Sequence, residues 1–208
     1  AKVTSTMIHT WGEEVEVFPR TCTVVEEGGT FLSNYVCMKP TKMVQMYPTA
    51  YVKGEGAVAR FSGVVVAGTG SYVDTGSRAV LQAPNTSAEL VTRAITNGGT
   101  IISRGAVVAE CPKTKGHIEC RGLILKDGVM HAIPEIEGHV VDVELSHEAA
   151  VGKIARDEIE YLMARGLSEE EATATIIRGF LDIKIEGLPP ALQKQIDQTS
   201  ARLADTEE

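Results

Sequence analysis

Over its first 145 residues or so this chain offers no helical periodicity of useful length. It reads instead as short segments rich in Val, Ile and Thr, with glycine between them. Strands are expected at 3–11, 15–18, 21–25, 43–52, 57–61, 63–67, 79–83, 89–95, 100–102, 106–110, 118–120, 123–125 and 140–144. The breaks fall at Gly28-Gly29, Gly54, Gly68, Gly76, Gly98-Gly99 and Gly128. A chain built this way must bury its apolar surface between sheets. Sandwich, closed barrel and parallel β-helix all satisfy that demand. A sandwich needs tight hairpin turns, and few pairs besides Asn97-Gly98 and Asp127-Gly128 suit one. A β-helix stacks short strands coil on coil, with small inward residues and few aromatics. Aromatics make up only 5% here, which leans toward the β-helix, although no clean repeat can be extracted.

The pattern changes at residues 146–180, where the sequence turns helical. Ser168 followed by Glu171 is a capping box, and Gly166 stands where a preceding helix needs a left-handed stop. Helices are therefore expected at 156–165 and 169–181. The first would bury Ile159, Leu162 and Met163, the second Ala172, Ile176, Ile177 and Phe180. Asp157 and Glu158 suit the positive end of the first helix. Pro189-Pro190 opens a third helix expected at 190–204, with an acidic end at 205–208. The division is thus a β domain at 1–145 and a helical domain at 146–208.

The 208 residues carry a formal charge of −8, with no basic stripe to neutralise phosphates, so nucleic acid is not an expected partner. No apolar run reaches the length of a membrane span, and no signal peptide is visible. Cys22, Cys37, Cys111 and Cys120 are irregularly spaced, which suits neither a disulfide framework nor a zinc ribbon. A cytoplasmic, reducing location is the expectation. The opening at Ala1-Lys2-Val3 already alternates like a strand, so either an upstream part of a longer protein is missing or the chain is a short member of its kind. There is no G-x-S-x-G elbow and no phosphate-binding G-x-x-x-x-G-K-[ST], so neither hydrolase chemistry nor ATP binding by this chain is expected.

His147-Glu148-Ala149, Gly152-Lys153-Ile154, the run from Glu160 to Ala172 and Arg178-Gly179-Phe180 together resemble the C-terminal region of the SufB/SufD family. Upstream, Asp74-Thr75-Gly76, Pro84-Asn85-Thr86-Ser87, Ser103-Arg104-Gly105 and Tyr47-Pro48 resemble further family segments. The stretch from Ile8 to Trp11 resembles an I-Q-N-W segment, with His9 where the family has Gln. These proteins are scaffold subunits of iron–sulfur cluster assembly. The resemblance implies a mainly β fold with a C-terminal α part: a right-handed parallel β-helix followed by a small helical domain.

It also implies a site. Cys120 matches a scaffold cysteine on the last coils, and His147 and Glu148 match an H-E pair at the helical junction. A thiolate is a preferred soft ligand for cluster iron, and imidazole and carboxylate would complete a labile set that can release a transient iron–sulfur cluster. Arg121 beside Cys120 would lower its pKa. The plain alternatives are a small core cysteine, a hydrogen-bonding histidine and a dipole-pairing glutamate. Cys22, Cys37 and Cys111 are expected to be structural, with Cys111 exposed in a loop. His131 and His139 are expected at the surface, and His117 on the pleat face opposite Cys120. Arg60, Arg78, Arg93 and Arg104 are expected to be solvated charges near strand ends. His9 and Trp11 fall near a region that, in the family, has been thought of as a route for sulfur.

The partner implied is a SufC-type ABC ATPase docking on 153–181, with a homodimer or a SufB/SufD-type heterodimer formed at the open edge of the last coil. Two other readings remain. A SufD-like adaptor would keep these contacts and assemble no cluster. A β-helix carbohydrate-active enzyme would use carboxylates among Asp74, Glu89, Glu110 and Glu119 along a groove.

Overall fold

A computed structural model describes residues 1–181 together with Lys194 and Gln198. The strands alternate between two sheets as the chain advances. One sheet, A, holds β1 (Lys2–His9), β4 (Thr30–Cys37), β7 (Val58–Gly68), β9 (Ser87–Asn97), β11 (Thr114–Leu125) and β13 (Val143–Gly152) in that spatial order. The other, B, holds β2 (Glu16–Val17), β3 (Cys22–Val25), β5 (Met43–Met46), β6 (Thr49–Val52), β8 (Tyr72–Leu81), β10 (Thr100–Ala109) and β12 (Val129–Gly138). Neighbouring strands are parallel throughout both ladders. This is a parallel β-helix, as the resemblance implied.

The repeat that the sequence hides is plain in the register. Lys2 pairs with Thr30, Thr30 with Val58, Val58 with Ser87 and Ser87 with Lys115, so each coil takes 28 or 29 residues. One corner fixes that length. Gly28, Gly56, Asn85, Lys113 and Asp142 all have φ between 57° and 67°. Each of the first four donates its backbone N–H to a carbonyl of the next coil, on Glu55, Pro84, Lys113 and Asp142 respectively. The left-handed turn is free to glycine and tolerated by Asn and Asp, whereas it costs about 1–2 kcal/mol for an ordinary residue.

Inside the stack the sheets share a lumen. Ala59, Phe61, Leu81, Leu90, Val107 and Ile118 fill one part of it. Val44, Val65, Val73, Ala94, Ile101 and Met130 fill another. A third layer lies outside sheet A. There Val36, Val64, Val66, Ile95, Leu123 and Leu125 are covered by Ile177 and Leu181 of a C-terminal helix.

That helix is α2 (Glu169–Leu181), preceded by α1 (Arg156–Met163). The capping box forms as expected: Glu171 N–H donates to Ser168 Oγ at 3.1 Å, and Ser168 N–H to Glu171 Oε2 at 2.8 Å. Gly166 turns the chain between the helices at φ 98°. Ile159, Ala172 and Ile177 are buried as expected, but Met163 is 36% exposed. The third helix expected at 190–204 lies outside the described residues, apart from Lys194 and Gln198, which are helical.

Three corrections concern strands. Residues 146–152, read as the opening of the helical part, complete β13 and pair with β11. β4 is absent from the expected strands, and β12 is expected only as a strand-and-turn segment between His131 and His139. β12 carries Pro134, Glu135 and Glu137, which a strand accepts because it is the edge of sheet B. Of the glycines expected as breaks, Gly76 instead lies within β8, and β7, β10 and β11 are each one strand where two short ones are expected. A Cβ on Gly76 would stand 2.1 Å from the Arg104 carbonyl oxygen, so its role is close approach rather than a turn.

The corner stack gives a stability test. A Cβ on Gly56 would meet nothing within 4 Å, so only its φ of 67° penalises a side chain. Gly56→Ala is expected to lose about 1–2 kcal/mol, and Lys113→Asn to gain a fraction of that, read as opposite shifts of the urea unfolding midpoint.

Candidate functional site at the last coil

β11 and β13 are the last two strands of sheet A, and they carry Cys120 and the His147-Glu148 pair. Cys120 lies between Thr92 of β9 and Ala149 of β13. Strand alternation sends Ile118 and Cys120 into the lumen and Glu119 and Arg121 outward. Cys120 is 5% exposed, packed with Ala94, Ile101 and Met130. Its thiol donates to Ser103 Oγ of β10, 3.2 Å away across the lumen. Leu90, Thr92, Ser103, Ile118 and Cys120 help line a cavity of about 10 Å³, room for about one water.

Burial pushes the Cys120 thiol up from its ordinary pKa, and the Ser103 hydrogen bond and the charge of Arg93 offset part of that rise. The expected influence of Arg121 is therefore corrected. Its guanidinium lies on the outer face, reaching Glu119 at 2.8 Å and Glu148 at 3.1 Å. Arg93 completes the row at 2.6 Å from Glu119, giving the ladder Arg93–Glu119–Arg121–Glu148 across β9, β11 and β13. Arg93 and Glu119 are largely shielded, their side chains only 14% and 17% exposed, so the solvated strand-end charge expected of Arg93 is also corrected.

Glu148 is thus on the face opposite the Cys120 thiol. His147 is in register with Ile118 and shares the inner side with Cys120, yet it is exposed because, among the described residues, no further strand follows β13 in the sheet. Within one chain the three residues do not converge. Among the described residues no group of three or more His, Cys, Asp or Glu side chains is placed to hold a metal ion.

Residues 1–180 match the family model described as "SUF system FeS cluster assembly, SufBD core domain". An Archaeoglobus fulgidus iron–sulfur cluster assembly SufBD family protein is 55% identical over 200 residues, 96% of this chain and 54% of the relative. A homolog from Methanothermobacter thermautotrophicus (strain Winter) is 48% identical over 194 residues, and one from Pyrococcus horikoshii 37% over 191. The chain belongs to the SufBD family. It spans about half the length of these relatives, 54%, 47% and 43% respectively.

Three SufBD-like segments noted in the sequence meet on the outside of sheet B. Arg104 donates to both Asp74 oxygens, at 2.6 and 3.1 Å, and so sits mid-strand in a fixed pair rather than at a solvated end. Tyr47 spans the neighbouring coils to donate to Glu135 at 3.4 Å, and burial together with Glu135 pushes its phenol up to about 12. The carboxylates considered for glycan chemistry are dispersed. Asp74 pairs with Arg104 on sheet B, Glu89 with Arg60 and Glu119 with Arg93 on sheet A, and Glu110 accepts from Gln82. Family membership and this dispersal leave the glycan reading without a site.

The remaining cysteines and histidines fall mostly where expected. Cys22 is exposed, Cys111 intermediate and Cys37 buried. His117 faces outward with Ser146 Oγ at 2.8 Å, and His139 meets Glu137 at 3.2 Å. Ser103 and Tyr35 are two polar lumen residues to which sequence reasoning gave no role. Their signal was inward strand parity opposite Cys120 and His9. Among the described residues no helix is long and apolar enough to cross a membrane.

His9 is 8% exposed, with Nδ1 3.0 Å from the Tyr35 hydroxyl, whereas Trp11 is 41% exposed. Burial holds His9 below its ordinary pKa. The unfolded chain binds its proton first, near pH 6.5, so stability present above that pH is lost as pH falls through it. His9→Gln is expected to remove that part of the loss, read as a smaller drop in urea midpoint between about pH 7 and pH 5.

Proposed function

We propose that this chain is a scaffold on which iron–sulfur clusters are built and handed on, working with a SufC-type ABC ATPase. The observation that carries the reading is the SufBD core match over residues 1–180, with a cysteine one strand in from the open end of the coil stack. The cluster is cargo in this reading. Cys120 supplies the soft sulfur donor and His147 an imidazole on the same inner side. Glu148, on the outer face, supplies a carboxylate.

Because Cys120 and Glu148 face opposite ways, a site using all three draws on two chains. A homodimer, or a SufB/SufD-type heterodimer, formed along the free edges of β12 and β13 would supply the second set. Val129, Ile136, Val141 and Val151 are exposed in and between these last two strands, which supports an interface there. The ATPase would dock on the α1–α2 hairpin, whose Tyr161 and Met163 are exposed. ATP would bind to that partner and not to this chain.

The buried thiol, with its raised pKa, favours a second reading: a SufD-like adaptor that keeps these contacts and holds no cluster. Co-purification with the ATPase of the same organism, then anaerobic iron and sulfide analysis of wild type and Cys120→Ala, separates the two. The scaffold reading expects iron, sulfide and visible absorbance in wild type and their loss in Cys120→Ala. Equal content in both variants removes Cys120 from the site, and no content in either supports the adaptor.

A further inference from the structure

A second lumen cavity, of about 70 Å³, lies beneath the first coils and reaches from β1 to β9. Met46, Phe61 and Val65 give it apolar walls, and Ser33, Thr75, Ser77 and Thr92 supply hydroxyls. Thr75 and Ser77 alternate inward along β8 with Val73 and Ala79, and are only 4% and 8% exposed. Among the described residues none of these four hydroxyls has a hydrogen-bond partner in the protein, and each opens onto the cavity. Among the described residues no lysine, arginine, histidine or carboxylate lines it.

These features select an occupant. A buried hydroxyl without a partner is costly, so the occupant must bring hydrogen-bonding groups, and each hydroxyl can both donate to it and accept from it. An ion entering here would give up its hydration and meet no opposite charge. An aromatic ring is too large, since benzene occupies a cavity of about 150 Å³. We propose that this cavity is a binding site for a small neutral molecule that both donates and accepts hydrogen bonds, of the size of a short alcohol or a primary amide. Thr75 and Ser77 hold its polar end, and Met46, Phe61 and Val65 pack against its alkyl end. Cys120 is not part of the lining, so the site is independent of the scaffold reading.

Acetamide, acetate and acetone share one shape and differ in charge and in donors, so they test this on the full 208-residue chain with its methionine methyl groups carbon-13 labelled. Acetamide is expected to shift the Met46 methyl resonance saturably. Acetone, which accepts but does not donate, is expected to bind about tenfold more weakly. Acetate is expected to give no saturable shift. Thr75→Val keeps the side-chain shape and removes the hydroxyl, and is expected to weaken acetamide about tenfold. Ser77→Ala is the second variant, expected to act in the same direction, and serves where Thr75→Val does not fold. The inference is overturned by the absence of a saturable acetamide shift in wild type. Acetate or acetone binding as tightly as acetamide overturns it too, as does undiminished acetamide binding in a folded Thr75→Val or Ser77→Ala chain.

Discussion

Every coil of this protein must end directly beneath its own beginning, one strand spacing of about 4.8 Å further along the stack. If it fails, the parallel ladder loses register on both sheets at once. The requirement is met at the corner where Gly28, Gly56, Asn85, Lys113 and Asp142 repeat the same left-handed turn. The amide donations of the first four to the next coil make that turn part of the ladder rather than a loop outside it. Lys113 adopts the turn without the freedom of glycine or the local bonding of Asn, so neighbouring coils hold it there. The repeat is conformational. Five different positions share one φ and only one residue type recurs, which is why no sequence period is visible.

Register also decides the geometry of the last coil. Once β13 is a strand, neighbouring residues must point to opposite faces, and no side-chain rotation brings Cys120 and Glu148 together. The outer face is polar toward the strand starts and apolar toward their ends. The polar half carries the Arg93–Glu119–Arg121–Glu148 ladder, and α2 covers the apolar half with Ile177 and Leu181. The inner face has the reverse character, apolar with isolated hydroxyls and thiols. One strand thus presents two chemical environments only a sheet's thickness apart. A cluster site drawing on both must be completed by a second chain or by a shift of β13.

What the sequence revealed follows from how local each signal is. The capping box Ser168–Glu171 and the stop at Gly166 act within a few residues, and both were legible. The β-helix was legible through composition and resemblance, not through period. β4 and β12 were missed because TFLSNYVC and VMHAIPEIEG do not alternate cleanly; neighbouring coils hold them. Residues 146–152 were misread because His-Glu-Ala-Ala is rich in helix formers, and pairing with β11 overrides that weak preference. That misreading hid the opposite orientations of His147 and Glu148. The influence assigned to Arg121 also failed. Arg121 is drawn out to Glu119 and Glu148 with its side chain 44% exposed, whereas Arg93, on the same outer face but only 14% exposed, is the charge that reaches the thiol.

Polar groups in the lumen obey one further rule. A buried donor or acceptor left without a partner costs about 1–3 kcal/mol, so each needs one, whether local, as Thr96 finds in the Gly99 carbonyl, or on another strand. His9 is matched by Tyr35 one coil on, and Cys120 by Ser103 on the facing sheet. This bears on His9, which stands where the family resemblance has glutamine. Both side chains offer one nitrogen donor and one acceptor at similar reach, and a tyrosine hydroxyl can pair with either. The exchange therefore preserves the hydrogen bond while adding aromatic edge contacts, with ring centroids 5.0 Å from Tyr35 and 5.1 Å from Trp11. What the Tyr35 hydroxyl needs is a polar side chain within reach on the preceding strand, and the His9 imidazole meets that need.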